Sequence, residues 1–152
     1  MTRVDQDAIQ EQVQSLLQAD DAFAAVSVTL GEFACLANGQ PPWAVILPGG
    51  LTQPIGDAYG EYAPRLRGFV EVWRPYAPGY ADLVAALQAV VDVLNAHPTL
   101  NELAGVVLAR VTEVSDLLFL APDMPGSEPQ YAGFRVAYEV LVRWSYSGEG
   151  EY

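Results

Sequence analysis

The sequence predicts an α+β fold in two layers: a mostly antiparallel β-sheet with two main helices on one face, in the order α-β-β-α-β-β. Three runs of residues predict it. Phe69-Val-Glu-Val-Trp-Arg74 alternates as a strand does, Tyr80 to Asn95 repeats apolar residues at helical spacing, and Phe134 to Tyr146 alternates again. Strands adjacent in sequence usually pair, and a sheet with an apolar face needs a covering layer.

Each element has its own signal. Ile9, Val13, Leu16 and Leu17 fall on one helical face, with Asp5 placed as N-cap and Asp20-Asp21 ending the run, so residues 4–19 read as an amphipathic helix. Val26, Val28 and Leu30 alternate with small polar residues, which fits a short strand at a sheet edge. Trp43 to Leu47 reads as a buried strand closed by Pro48-Gly49-Gly50. Residues 48–64 read as a long loop rich in Pro and Gly that carries Leu51, Ile55, Tyr59 and Tyr62. Aromatic residues in such a loop order either against a partner or over the chain's own core.

The strand from Leu66 to Arg74 sets Leu66, Val70 and Val72 on one face, and Arg65, Arg67, Phe69, Glu71 and Trp73 on a half-covered other face. The following helix aligns Leu83, Val84, Leu87, Val90, Val91 and Leu94, and Pro98 stops it. Gly105 to Val114 reads as a strand that Asp116 to Leu120 continues after a bend near Ser115. The last strand puts Phe134, Val136, Tyr138, Val140, Val142, Trp144 and Tyr146 on one face. Residues 147–152 read as a frayed acidic tail, and the whole chain, 1–152, as one domain.

Composition narrows the function classes. The chain holds 19 acidic residues against 7 basic ones, for a net charge of −12, and every basic residue is an arginine. The arginines are scattered in sequence, which argues against tight nucleic-acid binding by counterion release. Excess acid serves solubility, or a surface that must repel nucleic acid. No secretory signal is visible, and the longest apolar stretch, Leu83 to Leu94, is interrupted by Gln88 and Asp92 and is too short to span a bilayer.

The residues that could do chemistry are few. His97, the one histidine, sits at a helix end before a proline, where capping is the expected role. Cys35 is the single cysteine, without an internal disulfide partner. A Cys35–His97 dyad is the weaker alternative. Asp5/Asp7 and Asp20-Asp21 lack the spacing of a calcium loop, and Gly49-Gly50 lacks the lysine of a phosphate cradle. The reading is therefore no catalytic residue, no metal and no cofactor. Open sheet edges and the aromatic loop favour a subunit completed by neighbours over an enzyme.

The layout resembles that of the tail terminator (tail completion) proteins of long-tailed bacteriophages. The likeness lies in the N-terminal helix, the short strand Trp43 to Leu47, the Pro/Gly loop, the Gly68 to Arg74 strand, the long helix, the His97-Pro-Thr-Leu-Asn101 step and the closing Val140 to Tyr146 run. The resemblance implies a structural virion protein that forms a hexameric ring, caps the tail tube and meets the head–tail connector proteins. It also implies that DNA passes through the lumen without specific binding, and that the protein resides at the head–tail junction, away from membrane. By position, the expected contacts with neighbours are Leu51, Ile55, Asp57, Tyr59, Glu61 and Tyr62 in one loop, and Asp123, Met124 and Glu128 in another. The alternatives are another connector or minor tail component, or a small cytosolic enzyme or ligand-binding domain.

Overall fold

The computed structural model describes residues 5–31, 43–52, 61–62, 65–75, 80–120 and 131–145. Helix α1 spans Gln6–Gln18. The Asp5 carboxylate accepts the Ala8 N–H at 2.8 Å, the N-cap expected of an Asp at this position. Strand β1 (Ser27–Leu30) follows a short 3-10 turn, and then come β2 (Trp43–Thr52), β3 (Glu61–Tyr62) and β4 (Arg65–Pro75). Helix α2 spans Ala81–Ala96; β5 (Val106–Val114), β6 (Leu118–Leu120), β7 (Tyr131–Val142) and β8 (Trp144–Ser145) complete the chain.

The main sheet has six strands in the order β1-β2-β4-β7-β5, with β6 also pairing on β7. All pairings in it are antiparallel except β1 with β2. Strands β3 and β8 form a separate antiparallel pair, Glu61 opposite Ser145 and Tyr62 opposite Trp144. Both helices lie on one face of the main sheet, α1 over β1 and β2, α2 over β4, β5 and β7. The two-layer α+β architecture expected from the periodicities is therefore present.

The core lies between those layers. Ile9, Val13, Leu16 and Leu17 of α1 are buried with Val70, Val72, Val136, Val140 and Val142 from the sheet. Helix α2 buries Leu83, Ala86, Val90, Val93 and Leu94. Val84 was expected on this stripe but is 51% exposed. The helix is apolar around most of its circumference, so packing, not pattern, sets its rotation, and the smaller Ala86 faces the sheet.

Strand boundaries differ from expectation where glycine and proline misled. Strand β2 continues through Pro48-Gly49-Gly50 to Thr52, so the first five residues of the expected loop belong to a strand. β1 pairs β2 over Trp43–Ile46, so among the described residues no strand lies where the N–H missing from Pro48 would point. The register shifts between Pro48 and Leu51, and a β-carbon at Gly49 would sit 2.7 Å from the Arg67 backbone. The final strand also divides: β7 ends at Val142, and β8 leaves the main sheet to pair with β3.

The His97-Pro-Thr-Leu-Asn step has a distinct conformation. Leu100, Asn101 and Glu102 take successive positive φ values of 50°, 58° and 61°. Such residues each cost on the order of 1–2 kcal/mol without glycine. Compensation is visible: Leu100 is fully buried, its carbonyl accepts Gln12 Nε2 at 3.0 Å, and Thr99 Oγ1 accepts the Glu102 N–H at 3.2 Å.

Candidate functional site

Two surfaces stand out, the sheet face opposite the helices and the β5–β6 edge. Side chains alternate across a strand, so the antiparallel register of β4 with β7 decides which residues meet on that face. It sets Trp73 opposite Gly133, Glu71 opposite Arg135, Phe69 opposite Ala137, Arg67 opposite Glu139 and Arg65 opposite Leu141. Strand β5 extends two of these rows, placing Arg110 beside Glu139 and Leu108 beside Leu141.

A buried ion pair anchors one end. Glu71 is 1% exposed, yet both its oxygens have donors: Arg135 Nε at 2.7 Å on one and Trp73 Nε1 at 3.2 Å on the other. The Arg135 guanidinium also lies over the Phe69 ring, 4.9 Å from its centroid. At the other end Glu139 accepts from Arg110 Nη2 at 3.2 Å and lies 3.8 Å from Arg65 Nη1. The expectation that this face is half covered holds only on average, since Arg65 is exposed while Glu71 and Trp73 are buried.

Arginines scattered in sequence are thus gathered by the sheet. Arg65, Arg67, Arg110 and Arg135 share one face, each beside a carboxylate-bearing row. The helical layer is opposite in character: residues 5–31 and 80–104 hold eight Asp and Glu and no Lys or Arg. The lack of basic residues in the helical segments is legible in the sequence, whereas the gathering of the arginines on one face follows only from strand register.

A cleft of about 270 Å³ lies at the start of α2, lined by Arg74, Pro75, Tyr80, Ala81, Asp82, Leu83 and Ala132. The half-buried Arg74 donates from Nη1 to the Trp73 carbonyl at 2.9 Å. Burial lowers its pKa, and the Asp82 carboxylate opposes that shift. His97 Nδ1 lies 2.8 Å from the Val93 carbonyl, so that nitrogen carries the proton and caps the helix. Cys35 lies outside the described residues. Among the described residues no group of three or more His, Cys, Asp or Glu could hold a metal ion.

Of the residues expected at contacts, Ile55, Asp57, Tyr59, Asp123, Met124 and Glu128 lie outside the described residues. For Leu51, Glu61 and Tyr62 the backbone is described: Leu51 belongs to β2, opposite Leu66, and Glu61 and Tyr62 form β3. The β5–β6 edge is a feature sequence reasoning missed. Val107, Leu108, Val114 and Phe119 are 40–50% exposed along it. A signal was present, because Val106-Val107-Leu108 is continuously apolar and so must place apolar side chains on both sides of a strand.

No protein-family model and no curated protein sequence matches the chain. Among solved structures it is similar to a chain of the virion of native gene transfer agent (GTA) particle. The TM-score is 0.61 and the identity 17%, over 90% of this chain and 95% of that one. At this identity the likeness is one of fold.

Proposed function

We propose that the chain is a structural protein of a phage-like virion, a ring-forming tail terminator that caps the tail tube and joins the tail to the head connector. The observation that carries this reading is the shared fold with a virion-particle chain, extending over nearly the full length of both. The order of elements, which resembles that of tail terminators, supports the same position. In this reading the chain supplies geometry rather than catalysis. A hexameric ring of rigid two-layer wedges surrounds the DNA path, and an acidic surface repels phosphate at short range so that DNA slides without sticking.

The experiment is reconstitution. Purified chain added to isolated tail tubes is expected to cap one tube end as a ring in negative-stain images and to halt tube growth. A chain that leaves tubes unbound and still elongating would overturn the reading. The likeness to a virion chain fits another connector or minor tail component equally well. Gold labelling of the chain in whole virions separates these, since a terminator marks the junction and a minor component marks another level of the tail.

A further inference from the structure

The register of β4, β7 and β5 gathers guanidiniums around one carboxylate. Arg67, Glu139 and Arg110 form a single row across the three strands, and Arg65 stands two residues along β4 on the same face. Neighbouring strands lie about 4.8 Å apart and same-face residues about 7 Å apart, so the three arginine Cα atoms stand within roughly 12 Å of one another.

Glu139 does not use up this charge. Arg110 Nη2 donates to its Oε1 at 3.2 Å, and Arg65 Nη1 lies 3.8 Å from the same oxygen. Arg67 is exposed and has no side-chain partner among the described residues. Each guanidinium carries five N–H donors, so one carboxylate leaves most of them unassigned.

The carboxylate is also recessed. Its side chain is 17% exposed, against 52% for Arg65 and 57% for Arg110, so an approaching anion meets guanidiniums before it meets Glu139. Glu113, the other acid on this face of β5, lies opposite Ala137, on the side of Arg110 away from Leu108. Arg65, Arg67 and Arg110 therefore outnumber the two acids. Arg135 is committed elsewhere, to Glu71 and the Phe69 ring.

A hollow of about 130 Å³ opens at this point, lined by Arg65, Leu108, Arg110, Glu139 and Leu141. Charges more than about 8 Å away are largely screened at physiological ionic strength. The local excess of arginine thus outweighs the chain's net charge of −12 for a small bound anion.

We propose that this hollow binds a phosphate group, held by Arg65 and Arg110 from its walls and by Arg67 from the adjoining row. Planar guanidiniums match pairs of phosphate oxygens, and the leucine walls exclude water on one side of the ion. A free phosphate ion and a nucleic-acid phosphodiester share this chemistry. The site goes beyond the ring reading and does not depend on it.

The test is titration of the full chain with inorganic phosphate at constant ionic strength, followed by heteronuclear NMR with chloride as the reference anion. The backbone amides of Arg65, Arg110 and Leu141 are expected to shift and to saturate in the millimolar range. Arg67→Gln should weaken the affinity roughly fivefold, and Glu139→Gln should tighten it by a similar factor because the competing carboxylate is gone. Arg74→Gln, in the separate cleft at the start of α2, should leave it unchanged. A labelled single-stranded oligonucleotide, followed by fluorescence anisotropy at low salt, identifies the source. Competition with inorganic phosphate assigns a phosphodiester, and failure to compete assigns the free ion.

Shifts that chloride reproduces, or an affinity that Glu139→Gln leaves as it was, would overturn the proposal. Neither result touches the ring reading, which is read from tube capping.

Discussion

Glu71 and Arg135 meet across β4 and β7, with Arg135 Nε 2.7 Å from the Glu71 carboxylate. The two partners are unequally buried: the Glu71 side chain is 2% exposed and that of Arg135 42%. Removing either one therefore has different consequences. Arg135→Ala leaves a buried carboxylate with Trp73 Nε1 as its remaining donor and is expected to cost about 3–5 kcal/mol. Glu71→Gln leaves a guanidinium that water can reach and should cost about 1–3 kcal/mol. Urea unfolding of both variants checks the order, and equal losses would refute the asymmetry.

Tyr138 is buried, and its hydroxyl has no hydrogen-bond partner among the described residues. Burial pushes its pKa well above the ordinary tyrosine range. The folded state then holds the phenolic proton after the unfolded chain has released it, so the unfolded state binds fewer protons at high pH. The associated stability is complete below pH ~10 and is lost as pH rises beyond it. Tyr138→Phe is expected to leave stability at pH 7 unchanged or slightly raised and to flatten the alkaline loss. Urea midpoints at several pH values between neutrality and pH ~11 measure that slope. A Phe variant with the slope of the parent would contradict the assignment.

Gly133 lies opposite Trp73, and a β-carbon there would sit 2.6 Å from the indole Cδ2 and 2.7 Å from the Val72 carbonyl oxygen. The ring can move but the β4 backbone cannot. Gly133→Ala is expected to destabilise by about 1–3 kcal/mol. A changed tryptophan emission from the folded variant would accompany the loss, because Trp73 is buried in this contact.

The left-handed turn at Leu100-Asn101-Glu102 offers a stabilising change. Asn tolerates positive φ better than Glu does. Glu102→Gly should therefore raise the melting temperature, by about 2–4 °C for a gain near 1 kcal/mol, and by more than Asn101→Gly. The bond from the Glu102 N–H to the Thr99 hydroxyl survives the substitution. A lower melting temperature in the Glu102 variant would argue against strain in this turn.

How legible these features are in sequence depends on their range. The inward stripe of α1, Ile9-Val13-Leu16-Leu17, is buried as its spacing predicts, and Asp5 caps the helix as its position predicts. The alternation of β7 likewise places Val136, Tyr138, Val140 and Val142 in the core. Val84 was misplaced because α2 is apolar on too many sides for spacing to choose a face. The extent of β2 was misjudged because Pro48 and Gly49-Gly50 punctuate a loop in isolation. Beside β4 they form a bulge, and the missing N–H of Pro48 interrupts no pairing among the described residues. The candidate site was less visible than the fold. The exposed β5–β6 strip follows from which strand ends up at an edge, and that depends on pairing with β7.

By itself the sequence determined the class of fold, the positions of most helices and strands, the strong acidity and the one-sided burial of α1. These depend on residues within a few positions of one another, where periodicity and capping chemistry act directly. Tertiary structure alone decided that Glu71 meets Arg135, that Arg65 and Arg110 converge on Glu139, and that four arginines share one face. The physical reason is register: a shift of one residue between β4 and β7 would turn each of those side chains to the other side of the sheet.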